Sequence, residues 1–298
     1  MTRKKLTPSR LARNLSRMVR SCTPPILEKI LFPGKANVGP VPPADESVAQ
    51  CSVPFVIPAV PPTELWPGFE QTEVKMIPGQ IRNHLWAMPE NELLVLSVIS
   101  RLLAPKRVFE FGTFTGASTL AIAANTDPQT RIMTLDINPE NRRSHRTGVG
   151  SDIPFDYVIG ESFLKTRWNS KIERLYSDAR NFDTKPYEGK MDLVFVDADH
   201  TYPFVRNDTE KALQMLAPGG VILWHDYRWD DDTPECQGVT RLVNQFHDSV
   251  GECREIAGTR FAIFQSDSSF RWQRQDSPGS SGPHPLVFDD QSGSREAA

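Results

Sequence analysis

Between residues 107 and 265, short apolar runs alternate with helix-spaced stretches, and this alternation leaves few folds open. Apolar runs at 107–111, 131–136, 172–177, 191–197 and 221–225 read as strands. Stretches at 117–124, 203–216 and 239–249, and one after Pro139, read as helices, and residues 90–103 form another with Pro89 at its start. Parallel strands cannot be joined by a tight turn, so each crossover carries a helix and both sheet faces become covered. Two further runs, 253–256 and 261–265, supply closing strands. The expected fold is α/β: a doubly wound, Rossmann-like, mostly parallel seven-stranded sheet with helices on both faces. The stretch 140–171 is too long for one tight connection, so a helix plus an irregular insertion is expected there.

Composition changes at both ends. Residues 1–20 carry seven basic and no acidic residues, which leaves −10 on the rest of a 298-residue chain of net charge −3. An acidic body argues against a nucleic-acid partner. No apolar run reaches the roughly 20 residues that span a bilayer, and there is no secretory h-region. A cytoplasmic location is expected. Residues 6–20 keep three readings open: an organelle-targeting presequence, a membrane-surface or partner-binding helix, and a solvated arm. The four cysteines are scattered with no C-x-x-C pair, as expected of reduced thiols. Proline crowds residues 33–67, favouring an extended linker or wrapping arm over regular helix. Three regions follow: a basic, proline-rich arm over 1–75, an α/β domain over 76–266, and a Ser/Gly/Pro/Gln-rich tail over 267–298.

The first strand runs into Glu110-Phe-Gly112-Thr113-Phe-Thr-Gly116-Ala-Ser118. Glycines at 112 and 116 suit a turn whose backbone approaches a ligand closely. Their G-x-x-x-G spacing departs from the G-x-G-x-x-G that presents amides to a pyrophosphate, which makes a nicotinamide cofactor a poor fit. Glu110 beside the turn suits a ligand with a positively charged end. Thr113 and Ser118 complete the candidate turn contacts. Asp136 closes the second strand 20 residues past Gly116, where a carboxylate accepts ribose hydroxyls; a helix N-cap is the other reading. Asp178 and Ala179 end the third strand, where they border an adenine pocket or cap a loop.

EFGTFTGASTLAIA, TLDINPE, SDA, MDLVFVDADHTYP and APGGVILWHDYRW, in that order, resemble the class I S-adenosylmethionine-dependent methyltransferases. More narrowly they resemble the small-molecule O-methyltransferases of the caffeoyl-CoA and catechol type and a related group acting on sugars of natural products. The resemblance covers about residues 80–265 and implies S-adenosylmethionine as cofactor. It also implies that Asp197 belongs to a divalent-metal site, with an Asp-Asn pair after the fifth strand and a Lys three residues past the first Asp. Here His200 stands at the Lys position and His225-Asp226 at the Asp-Asn pair.

Asp197 and His200 follow the fourth strand, and His225 and Asp226 end the fifth, so all emerge on one rim. Asp197, His225 and Asp226 are the candidate metal ligands; one imidazole with two carboxylates shifts preference from Mg²⁺ toward Mn²⁺, Fe²⁺ or Zn²⁺. A metal-free site stays open, with His200 or His225 as base and His225 and Asp226 as loop-closing groups. His200, with an ordinary pKa of about 6.5, is the candidate catalytic base beside Asp197. Trp86, Tyr202, Trp224, Tyr227 and Trp229 either line an acceptor pocket or pack in the core. The expected function is methyl transfer to a hydroxyl of a small molecule. The alternatives are a nitrogen, carbon or sugar-hydroxyl acceptor and a non-catalytic cofactor-binding scaffold, and a homodimer stays open.

Overall fold

A computed structural model describes residues 56–81, 87–138, 157–229 and 237–267. Among them the elements run, in chain order, β1 (Ala59–Val60), α1 (Pro62–Leu65), α2 (Glu90–Leu103), β2 (Arg107–Phe111), α3 (Ala117–Asn125), β3 (Arg131–Asp136), α4 (Glu161–Leu164), β4 (Ile172–Tyr176), β5 (Met191–Val196), α5 (Tyr202–Met215), β6 (Leu216–Trp224), α6 (Gly238–Ser249), β7 (Cys253–Ile256) and β8 (Ala262–Gln265). The strands form one sheet in the order β1-β7-β8-β6-β5-β2-β3-β4. β4, β3, β2, β5 and β6 are mutually parallel; β8 is antiparallel to β6 and to β7.

The doubly wound arrangement follows from strand alternation. Successive side chains point to opposite faces. Phe109, Phe111, Val194, Val196, Ile222 and Trp224 pack with α5 and α6 through Val205, Leu213, Leu242 and Phe246. Val108, Leu193, Phe195, Val221 and Leu223 pack with α2 and α3 through Leu93, Leu96, Ile99 and Ala121. The central strands are therefore apolar in both registers, as a sheet covered on both sides requires. β4 lies at the sheet edge and carries exposed charge at Glu173 and Arg174.

The strand count differs from the seven expected. The eighth strand is β1, parallel to β7 through Ala59↔Glu255 and Val60↔Ile256. It comes from the proline-rich stretch: extended backbone suits proline, and an edge strand needs amides on one side only. The Glu255 amide donates to Pro58 O and the Ala257 amide to Val60 O. Ile57 is buried in the core, and Leu65, Trp66 and Met76 pack on the α2/α3 layer. α2 occupies 90–103 as its spacing suggested, but Leu94 is exposed while Glu92 is buried. Positions 92, 96 and 99 share the inward stripe at helical spacing. The helix expected after Pro139 lies outside the described residues.

Candidate active site

The five parallel strands end on one rim. There, Gly112, Phe114 and Gly116 all take positive φ (91°, 48° and 79°), which coils the β2–α3 connection tightly. Gly112 is required on two counts. Its conformation disfavours a side chain, and a Cβ would sit 2.0 Å from the Asp197 carbonyl oxygen where β2 and β5 part. At Gly116 the Phe163 ring occupies the same space.

Glu110 does not open onto the rim. Alternation turns it under α3, where it is fully buried. Ser118 and Thr119 donate to its carboxylate from the first turn of α3, as does Thr134 from β3. Thr113 shares a hydroxyl contact with Thr134 at 2.7 Å. Thr113 and Ser118 are thus spent on this internal network. Burial pushes the Glu110 carboxyl up to about 7, against the three hydroxyl donors and with help from the charge of Asp197. Asp136 does face the turn: the amides of Phe114 (2.8 Å) and Ile137 (2.7 Å) each donate to one of its oxygens. Asp178 caps the short turn Ala179–Asn181, accepting from the Arg180 amide at 2.9 Å and pairing with its guanidinium at 2.6 Å.

A second cluster occupies the ends of β5 and β6. His225 Nδ1 lies 3.0 Å from Asp197 Oδ1 and 3.4 Å from Asp226 Oδ2. His200 Nε2 is 2.8 Å from Asp226 Oδ2 and 3.9 Å from Asp197 Oδ1. The shorter contact is an ion-pair distance without hydrogen-bond alignment, so this buried nitrogen has no aligned partner. Asp226 has φ +60°, a left-handed conformation that Asp tolerates and that bends the chain sharply after β6. Asp199 ties the loop to α5, accepting from the Thr201 amide and hydroxyl.

Two residues of this cluster were not anticipated. Glu92 of α2 accepts from His225 Nε2 at 2.8 Å, and Arg260 of the β7–β8 turn bridges Glu92 and Asp226. The signal for Glu92 was present: an acid on the apolar stripe of a helix needs a buried partner. Arg260 carried no local signal. Burial opposes charge on Glu92, but hydrogen bonds from His225 and Arg260 hold it down at about 2. Burial also opposes a proton on His200, yet the carboxylates of Asp226 and Asp197 outweigh it and lift the group to about 10. The same two carboxylates lift His225 well above the usual imidazole range. Without a ligand, His200 is therefore an imidazolium at neutral pH, which departs from the ready base expected of it.

The aromatic candidates divide. Trp224 is in the core, with Nε1 donating to Thr209, and Tyr227 is buried with its hydroxyl on Asn244. Both pack in the core; strand alternation sends Trp224 into the α5/α6 layer. Tyr202 and Trp229 are half-buried, and Trp86 lies outside the described residues.

The profile of a family described as "Methyltransferase domain" matches residues 109–227, from the middle of β2 to the end of the β6 loop. This stretch of the chain is similar to a methyltransferase domain. The matched stretch contains the strand-end residues Glu110, Asp136, Asp178, Asp197, His225 and Asp226, whereas Glu92 of α2 and Arg260 of the β7–β8 turn lie outside it. Caffeoyl-CoA O-methyltransferase of Stellaria longipes is 29% identical over 167 residues, covering 55% of this chain and 64% of that protein. Caffeoyl-CoA O-methyltransferase 2 of Zea mays is 28% identical over 185 residues, covering 60% and 64%. The chain thus spans just under two thirds of the length of these methyltransferase relatives. The solved structure of the O-methyltransferase TomG from Streptomyces achromogenes in complex with SAM superposes with a TM-score of 0.49 at 16% identity, covering 70% of this chain and all of that one.

Proposed function

We propose that the protein is an S-adenosylmethionine-dependent methyltransferase that methylates a hydroxyl group of a small molecule. The observation that carries this reading is one rim holding both halves of the chemistry: an amide-oriented acceptor at Asp136 and the Asp197–His200–His225–Asp226 cluster two strands away. The matched domain and the caffeoyl-CoA O-methyltransferase relatives support it.

Asp136 would accept the ribose hydroxyls, its two oxygens already aimed by the Phe114 and Ile137 amides. The Gly112–Gly116 turn would admit the methionine portion over a floor formed by Glu110, Thr113 and Ser118. Asp178 and Ala179 at the end of β4 would border the adenine, and Asp197 the methyl-bearing end. When bound, the cofactor supplies a methyl carbon already activated by its sulfonium, so the chain must chiefly align the acceptor and take its proton.

A divalent cation fits the second cluster. Asp197, His225 and Asp226 each offer an atom within 4.8 Å of the others, and His200 Nε2 is a buried nitrogen without an aligned partner facing the same carboxylates. When bound, the cation supplies positive charge that lowers the pKa of a nearby hydroxyl. His200 takes the acceptor proton only when the charges of Asp197 and Asp226 are spent elsewhere.

The metal-free reading has its own support, because Glu92, Asp197 and Asp226 are matched by Arg260, His200 and His225. Turnover on a panel of hydroxylated metabolites, with and without chelator, separates the two. His200→Ala is expected to lower turnover about 10²–10⁴-fold with S-adenosylhomocysteine affinity nearly unchanged. Loss of activity in that variant with no chelator effect removes the cation and keeps the base. Full activity in both His200→Ala and Asp197→Ala would remove this rim as the catalytic centre.

A further inference from the structure

We propose that Glu92 is a positioning residue: it holds His225 with Nδ1 turned toward Asp197 and Asp226, so that the three present a preformed donor set to a divalent cation. The inference rests on the cation reading above and adds to it two residues outside the matched domain.

A neutral imidazole donates from one ring nitrogen and accepts at the other. An ionised carboxylate only accepts. Glu92 Oε2, 2.8 Å from His225 Nε2, accepts the proton there, so the ring proton a cation would displace is the one on Nδ1, beside Asp197 and Asp226. A carboxylate behind a ligating histidine is the usual way such a ring is oriented.

Glu92 is itself immobilised. Its Oε1 accepts from the Arg260 amide at 2.8 Å and from Nε at 3.0 Å, and its Oε2 also accepts from the guanidinium at 2.9 Å. The remaining arm of Arg260 donates to Asp226 Oδ1 at 2.8 Å. That contact selects Oδ2 as the oxygen Asp226 turns to His225 and His200. One guanidinium thus orients two members of the cluster from the β7–β8 turn, while Glu92 reaches in from α2. A merely structural ion pair would require Glu92 and Arg260 to meet each other; it would not require each to grip a different member of the candidate donor set.

The test is Mn²⁺ binding to the full chain near neutral pH, read from the electron paramagnetic resonance of free Mn²⁺, with S-adenosylhomocysteine affinity measured in parallel. Asp197→Asn is expected to abolish binding. Glu92→Gln, which keeps the shape and loses the charge, is expected to weaken Mn²⁺ about 10–100-fold, with S-adenosylhomocysteine affinity within about twofold. With diamagnetic Zn²⁺ bound, long-range proton–nitrogen NMR should show His225 protonated at Nε2 and ligating through Nδ1, and a proton on Nδ1 instead would overturn the positioning role. Arg260→Lys, at a partly exposed side chain, tests the same idea if Glu92→Gln does not fold; it keeps the charge, loses the fork, and should also weaken Mn²⁺ at least several-fold. Both variants binding Mn²⁺ like the parent would overturn the positioning role and leave the cation reading intact. A parent chain that binds Mn²⁺ no better than Asp197→Asn would overturn the cation reading and the role of Glu92 with it.

Discussion

Two acids on neighbouring strands show how one residue type takes opposite tasks from its surroundings. Asp136 sits half-buried at the end of β3 with an amide on each oxygen, which fixes the orientation of its carboxylate. Replacing it with Ala removes an acceptor for two hydroxyls. One hydrogen bond to a charged group is worth about 1.5–3 kcal/mol, so calorimetry should find S-adenosylhomocysteine affinity reduced at least about tenfold. Unchanged affinity would dismiss Asp136 as the ribose contact. Glu110 is sealed under α3, where burial lifts its carboxyl from 4.5 to about 7. Between those values the folded protein holds a proton that the unfolded chain has released. The stabilisation is therefore complete below about pH 4.5 and is lost as pH rises to about 7. The size is about 3 kcal/mol, at 1.36 kcal/mol for each unit. Urea unfolding of the parent and Glu110→Gln between these limits should show the gap between them shift by that amount in favour of the variant at high pH. Parallel stability curves would mean that Glu110 is ionised throughout.

At the scale of elements, the turn between β2 and α3 sets how close the two halves of the rim lie. Gly112 lets β2 pass the Asp197 backbone, so the cofactor turn and the Asp197 cluster share a wall. Gly112→Ala combines a left-handed Cβ with a 2.0 Å clash against backbone, and should destabilise by more than about 3 kcal/mol in thermal unfolding. Gly189→Ala is the control. Its φ is +63° but nothing lies within 4 Å of the added carbon, so about 1–2 kcal/mol is expected. Equal losses would mean that close approach contributes nothing at Gly112. The positions of these elements were legible because apolar periodicity is local. α2, β2, β3 and β7 fall where the pattern put them, and β5, β6, α5 and α6 differ mainly at their ends. What each strand-end acid does was less legible, because it depends on which groups other strands bring near. Asp197, His225 and Asp226 converge as anticipated, whereas Glu110 turns inward and Asp178 pairs with Arg180 two residues away. Arg260 was invisible for the same reason. It follows Asp226 by 34 residues and meets it only because β8 folds back beside β6.

For the whole molecule, the question is where the folded body begins. Composition put the boundary near residue 75, because proline excludes regular helix. Proline leaves extended backbone free to pair along one edge, and Ala59–Val60 does so on β7. We propose that the body starts by residue 57. Ile57 is 5% exposed among the β6/α6 core side chains, and burying such a group contributes about 1.5–3 kcal/mol. The Lys75 backbone exchanges two hydrogen bonds with the Asn125 side chain at the end of α3, at 2.7 and 3.0 Å. Trp66 covers the α2/α3 layer between these points, and Met76 does so just past them. A chain starting at residue 56 should therefore be more stable than one starting at residue 77 by well over about 3 kcal/mol, since it keeps Ile57, the β1 ladder and the Asn125 contacts. The shorter chain should also expose the β7 edge, an open template for pairing between molecules, and so should aggregate on heating. Matched unfolding curves and light scattering for the two chains decide the matter. Equal midpoints and equal solubility would return the boundary to residue 75 and reduce β1 to a surface strand with no part in holding the fold together.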